Sequence, residues 1–343
     1  MFSRVLKLGR SVPSDRFFIR KFSCSGCSIT SLQDLQQALA VTVRTRSYQQ
    51  IPDLLNFAGD HFPNPNLFSF LAEFPDSSRI HIIDEILQAF IPLRPRSRNR
   101  AAYSCLLSHT LQSPNPFPLS LAIVQRSLRS GCSPFPEASV LLSAAWLKHC
   151  RDSRSVAEIM LGMKSIGYSP DTGTCNYVIS SLSSADRLDE AMKVLKGMGG
   201  AGCIPDSDTY GMIIGRMCDA RRCSAALEML KKMVKAGLTP RQGTVEKVAA
   251  ALKASREVRK GVDMIGFLEK EECSVGFEVY EIAAEACLEG KEPILAAKVV
   301  MRMTNRGFIP YIKVRQMLVE GLASKGELGL VHAIRQRLTE LGS

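Results

Sequence analysis

The chain has 343 residues and a formal net charge of +11, from 44 Lys and Arg against 33 Asp and Glu. The basic excess suits a polyanionic partner. Its longest apolar stretches are broken by charge well before the roughly 18 residues that span a bilayer, which excludes a helical membrane protein.

Residues 1–30 carry Arg4, Lys7, Arg10, Arg16, Arg20 and Lys21 against one acid, Asp15, with serines and large apolar residues between them. Arg-rich, Ser-containing and acid-poor, they read as an organellar transit peptide, the other reading being a basic arm. The run Arg20-Lys21-Phe22-Ser23 resembles a matrix-peptidase cleavage site, which favours the mitochondrial matrix over the plastid stroma. Without this segment the net charge falls to about +6, since it holds six basic side chains and one acid. Cys24 and Cys27 form a C-x-x-C with no second pair at zinc-site spacing, and they read as inert.

Residues 31–99 show helical apolar spacing at Leu32, Leu35 and Leu39 and again at Ile82, Ile83, Ile86, Leu87 and Phe90, without a longer period. They read as a divergent helical cap, or else as a partner-binding element. Arg94, Arg96, Arg98 and Arg100 then alternate with Pro95, Ser97 and Asn99. This pattern predicts an exposed linker rather than a helix, either a positive clamp for phosphates or a solvated hinge.

Beyond residue 100 a period of 35 sets in: Met163, Met198, Met233, Leu268, Met303 and Leu338 recur in register. Gly167, Gly202, Gly237, Glu272, Gly307 and Gly342 follow four residues after each, and then Pro170, Pro205, Pro240, Val275 and Pro310. Such a period is the mark of a stacked-repeat solenoid. In the unit 172–206 apolar residues fall at Cys175, Val178, Ile179 and Leu182, then at Leu188, Ala191, Met192, Leu195 and Met198. Both sets have amphipathic-helix spacing, so each unit predicts two helices. Asp186 is placed to cap the second, and Gly202 to end it. The expected array is about seven units: a degenerate 100–136, then 137–171, 172–206, 207–241, 242–276, 277–311 and a partial 312–343. The register also assigns Val140, Ser143, Ala144 and Leu147 to the buried side of their helix.

These units resemble the plain 35-residue form of the pentatricopeptide repeat family, common in plant organelles. The resemblance rests on Cys175-Asn176-Tyr177-Val178-Ile179, on Arg187-Leu188-Asp189-Glu190-Ala191, and on Met198 to Asp206 with its Gly202 and Pro205. It implies an all-α, right-handed superhelical solenoid of helix-turn-helix repeats that binds single-stranded organellar RNA, each repeat reading about one base. The side chains that the family uses map here to Asn176 with Asp206, Gly211 with Arg241, Glu246 with Gly276, Glu281 with Tyr311, and Leu141 with Asp171. Only Asn176 with Asp206 matches a familiar combination, one that favours uracil. The aliphatic residue that usually stands second in each repeat and flanks the base is absent, its places held by Gly173, Asp208, Gly243, Glu278 and Lys313.

His61, His81, His109, His149 and His332 are scattered, with no metal-binding or deaminase spacing. With no phosphate-cradling Gly-rich loop and no recognisable nucleophile and base, neither catalysis, a cofactor nor a metal is expected. The leading expectation is an RNA-binding adaptor acting on transcript processing, stability or translation. The alternative is a protein-binding scaffold, for example on the mitochondrial ribosome, supported by Asp208, Glu246, Glu278 and Glu281 on the nominal RNA face.

Overall fold

The computed structural model describes residues 31–57, 65–149 and 155–342. Segment 1–30, with its expected cleavage site and Cys24 and Cys27, lies outside them. Every regular element among the described residues is helical.

Helices α1 (Leu32–Arg44), α2 (Ile51–Phe57) and α3 (Asp76–Ala89), with a 3-10 stretch at Pro65–Glu73, form the N-terminal region. Ser31 starts α1 with a capping box, its hydroxyl accepting from the Asp34 N–H at 3.1 Å while the Asp34 carboxylate accepts from the Ser31 N–H at 3.0 Å. Leu35, Leu39, Ile51, Leu55, Leu67, Phe68 and Leu71 are fully buried in this region. Phe90, which ends α3, meets Tyr103 edge-on at 5.5 Å and joins the region to the array behind it.

Among the described residues the array has seven pairs of successive helices. Their helices are α4 (Arg100–Thr110) with α5 (Phe117–Arg129), α6 (Pro136–His149) with α7 (Val156–Leu161), and α8 (Thr172–Ser184) with α9 (Leu188–Met198). Then follow α10 (Ser207–Asp219) with α11 (Cys223–Lys235), α12 (Gln242–Ala254) with α13 (Val258–Lys270), α14 (Phe277–Glu289) with α15 (Pro293–Asn305), and α16 (Ile312–Ser324) with α17 (Leu328–Gly342). Each first helix packs on the first helix of the next hairpin, from α4 through to α16, so the first helices form one continuous row. Each second helix from α9 onward wedges against the first helix of the following unit.

The periodic residues are the pins of this stack. Met163, Met198, Met233, Leu268 and Met303 are all fully buried. Leu338 is half-buried and Leu328 exposed, since α17, the last helix described, has no neighbour on its outer face. Between units, Gly167, Gly202, Gly237 and Gly307 turn the chain with φ of 83°, 78°, 77° and 82°. Glu272 takes the same left-handed conformation at 56°, and Val275 is buried where the other units have Pro. The unit that lacks both punctuating residues therefore keeps the turn, held by its neighbours rather than by its own preference.

Three expectations are corrected. Asp186 does not cap α9: it lies at φ 57° and its N–H donates to the Ser183 carbonyl, while the Arg187 N–H donates to Leu182 at 2.8 Å. That pair of bonds closes the C-terminus of α8, so Asp186 ends one helix instead of starting the next. Arg96–Asn99 is a 3-10 turn running directly into α4, not a linker: Asn99 is fully buried, and its Nδ2 donates to the Phe90 carbonyl at 3.1 Å.

The third concerns α6, which buries Ala138, Leu142, Ser143, Ala145 and Trp146 and leaves Val140 63% exposed. These positions precede their α8 counterparts Thr174, Val178, Ile179, Ser181 and Leu182 by 36 residues, not 35. Trp146 is the cause: fully buried and edge-on to Phe117 at 5.2 Å, it rotates α6 by one residue. Burying so large a ring outweighs the alternatives on a helix that is apolar nearly all round.

Candidate nucleic-acid interface

The row of first helices carries the side chains to which the family resemblance points. Asp206 is the N-cap of α10: its Oδ1 accepts from the Thr209 N–H at 2.8 Å, and the Thr209 hydroxyl accepts in return from the Asp206 N–H at 3.0 Å. Asn176, the fifth residue of α8, lies against this cap. Its Nδ2 donates to Asp206 Oδ1 at 3.2 Å, and its Oδ1 faces the Thr209 hydroxyl at 2.6 Å. Burial pushes the Asp206 carboxyl up, but hydrogen bonds from Thr209, Asn176 and the Asp208 amide outweigh it and hold the group below the usual range. The outcome is a fixed amide: Asp206 and Thr209 orient Asn176 and leave one of its two N–H bonds unused by this network.

Asp171 does the same work one unit earlier, accepting from the Thr174 N–H at 2.9 Å to cap α8. Its other oxygen takes an ion pair from Arg129 at 2.8 Å. Burial again pushes the carboxyl up, and the bonds from Thr174 and Arg129 outweigh it and leave it lowered. The one-residue rotation of α6 puts Val140, not Leu141, in the place equivalent to Asn176. The pairing of Leu141 with Asp171 is thus replaced by exposed Val140 with Asp171.

The remaining pairs do not form comparable constellations. Gly211 presents no side chain, and Arg241 turns to Asp208 in an ion pair of 2.5 Å. Gly276 is covered by the Gln242 side chain, so close that a Cβ there would collide with its amide, while Glu246 is half-buried. Glu281 is buried and accepts from the Tyr311 backbone N–H, with its Oε2 left unpaired. Burial raises its pKa, and Glu285 and Glu278 add to the effect against the opposing Tyr311 bond. Tyr311 stands 56% exposed, edge-on to Phe277 at 4.9 Å, with its hydroxyl donating to Glu278 at 3.2 Å.

Two of the positions where flanking aliphatics were missing are tied up by charge. Asp208 holds Arg241, and Lys313 reaches Glu285 at 3.5 Å. Farther along the same helices Lys247 pairs with Asp219 at 2.8 Å, and Lys253 with Glu285 at 2.7 Å and Glu289 at 3.0 Å. Nor do the four arginines form an open clamp. Arg94 donates to the Ile91 and Leu93 carbonyls, Arg98 is ion-paired with Asp53, and Arg100 donates to the Ser133 carbonyl while stacking on Phe135 at 4.5 Å. Of these four, Arg96 is the one whose guanidinium stays outside such bonds among the described residues. Sequence reasoning also missed Thr209, although its place three residues after Asp206 is a capping-box signal.

Among the described residues no group of three or more His, Cys, Asp or Glu is placed to hold a metal ion, and no helix is long and apolar enough to cross a membrane.

Family models for pentatricopeptide repeats match residues 170–219 and 208–238. A pentatricopeptide repeat-containing protein of Arabidopsis thaliana is 58% identical over 317 residues, 92% of each chain. The chain belongs to the pentatricopeptide repeat family. Among solved structures, the maize pentatricopeptide repeat protein PPR10 superposes with a TM-score of 0.41 at 12% identity, over 96% of this chain and 57% of that one. The same maize protein in complex with an 18-nt psaJ RNA element gives 0.23 at 16% identity, over 90% and 62%. The repeat domain of the Arabidopsis thaliana protein-only RNase P 1, in complex with tRNA, gives 0.39 at 15% identity, over 53% and 99%. This pentatricopeptide repeat protein thus spans 57% of the maize protein's length.

Proposed function

We propose that the chain is a non-catalytic RNA-binding adaptor of a plant organelle, addressed to the mitochondrial matrix with the plastid stroma as the alternative. It binds single-stranded transcripts along the row of first helices and acts on their processing, stability or translation. Family membership supports the class of ligand. The observation that carries the reading is the oriented Asn176 amide, held by Asp206 and Thr209 with one N–H outside the network. The basic, acid-poor residues 1–30 support the organellar address.

The test is selection from a randomised RNA pool by the full chain at two salt concentrations, with sequencing of the bound fraction. A uracil-containing motif is expected, lost when Asn176→Ala is combined with Asp206→Asn; asparagine still caps a helix, so α10 is retained. Bound RNA with no motif, or one that is unaltered in the double variant, removes Asn176 and Asp206 from base contact.

The ion pairs along the same helices favour a second reading, a helical scaffold for protein partners such as those of the mitochondrial ribosome. Asp208 with Arg241, and Lys253 and Lys313 with Glu285, leave less charge for phosphates. Co-sedimentation with ribosomal particles that survives nuclease and high salt is the outcome that this reading requires.

A further inference from the structure

The turn inside each of the last five hairpins has its vertex at one left-handed residue, and these vertices recur with the repeat: Asp186, Arg221, Arg256, Lys291 and Gly326, at φ of 57°, 57°, 57°, 58° and 75°. Glycine is the residue that this conformation favours, as the last turn shows. Three consecutive turns nevertheless place Arg, Arg and Lys there, and the final one sets Lys325 immediately before its glycine. The backbone bonds are the same in each case: the vertex N–H donates three residues back, from Arg221 to Cys218 at 3.0 Å, from Arg256 to Lys253 at 2.9 Å and from Lys291 to Leu288 at 3.0 Å. The backbone bonds therefore do not require these side chains, although a cation also suits the C-terminus of the helix it follows.

The turns line up along one edge of the solenoid, distinct from the Asn176 cap. Ser224 donates to Glu257 at 3.3 Å, Lys260 to Ser224 at 2.7 Å, and Arg259 pairs with Glu292 at 3.7 Å, each bond joining successive hairpins. A groove of about 910 Å³ runs between Arg256 and Lys291, and a second of about 640 Å³ between Lys291 and Lys325. Three acids on this edge are taken by bases set behind the vertices, Asp189 by Arg222, Glu257 by Lys260 and Glu292 by Arg259, while Asp263 in the second groove has no ion pair among the described residues. Arg221, Arg256, Lys291 and Lys325 are exposed and have no ion pair among the described residues, so the edge carries one unpaired cation per turn over four turns.

We propose that this turn edge is a second RNA-binding surface, which holds a phosphodiester backbone through Arg221, Arg256, Lys291 and Lys325 without reading bases. A ladder of single cations at the pitch of the repeat fits a polyanion with regularly spaced charges, and the grooves between vertices give room for the sugar. Its contacts are electrostatic, so its affinity falls steeply with salt while being indifferent to sequence.

The test uses the full chain and a base-free ribose-phosphate oligomer, which removes every base contact. The variant combines Arg221→Gly, Arg256→Gly, Lys291→Gly and Lys325→Gln; glycine accepts each vertex, so the fold is kept and an unchanged circular dichroism melt verifies it. Loss of four phosphate contacts is expected to flatten the slope of log affinity against log salt by about 3, at about 0.7 per contact for a single strand. In the randomised RNA pool the four-site variant is expected to keep whatever base motif the parent selects, which separates the edge from the base-reading proposal. An unchanged affinity and salt slope in the four-site variant overturns the proposal. Displacement of the oligomer by polyglutamate at equal charge concentration overturns it too, by assigning the edge to an acidic protein.

Discussion

At the level of single residues, Asn176 and Asp206 are named from the family resemblance, and the structure brings the two into one hydrogen-bonded cap. What escaped the sequence was the state of the acids around them. Glu281 looks like an exposed charge on the RNA face, yet it is buried beneath Tyr311 with one oxygen unpaired and its pKa raised by that burial. A group whose folded pKa lies above its unfolded value contributes stability only when protonated; the contribution is lost as pH rises through the folded pKa. Glu281→Gln keeps an acceptor for the Tyr311 N–H and removes the charge. It is expected to stabilise the protein at neutral pH by about 1 kcal/mol, the order of a buried polar mismatch, and to lose that advantage on acidification into the ordinary carboxylate range. Paired denaturant melts across pH measure the difference, and a gain that grows toward low pH contradicts the assignment.

At the level of the helix, periodicity was a reliable guide wherever one face is clearly apolar. Helices α8 to α16 follow it, and Met198 at the end of α9 is fully buried as its spacing required. Met198→Ala is expected to cost about 2 to 5 kcal/mol, as a large-to-small change in a packed interior does; a melt altered no more than by a surface change would sink the periodic assignment. Helix α6 was the exception. Val140, Leu141, Leu142, Ala144, Ala145, Trp146 and Leu147 leave it without a distinct polar side, so spacing alone could not choose its buried face. The choice was made from α5, by the contact between Phe117 and Trp146. Long-range ion pairs such as Lys253 with Glu285 were invisible for the same reason: two residues 32 apart become neighbours only once the helices are stacked.

Over the whole molecule, stability is expected to be additive along the stack, since each hairpin touches chiefly its neighbours. The N-terminal end is sealed by Phe68, Phe90 and the residues packed with them, whereas α17 leaves Leu328 exposed. Amide hydrogen exchange is therefore expected to be fastest in α16 and α17 and slowest around α8 to α12, with protection falling stepwise toward the C-terminal hairpin. Uniform protection along the array would instead indicate one cooperative block.

The seal between Phe90 and Tyr103 also sets an order in time. A chain drawn into an organelle by an N-terminal transit peptide emerges there N-terminus first, and domains close as they emerge. Residues 31–99 thus emerge before any hairpin needs them, and when α4 appears it meets a finished apolar platform. Each later hairpin is then expected to meet the previous one already in place, so assembly from this end is growth on a seed.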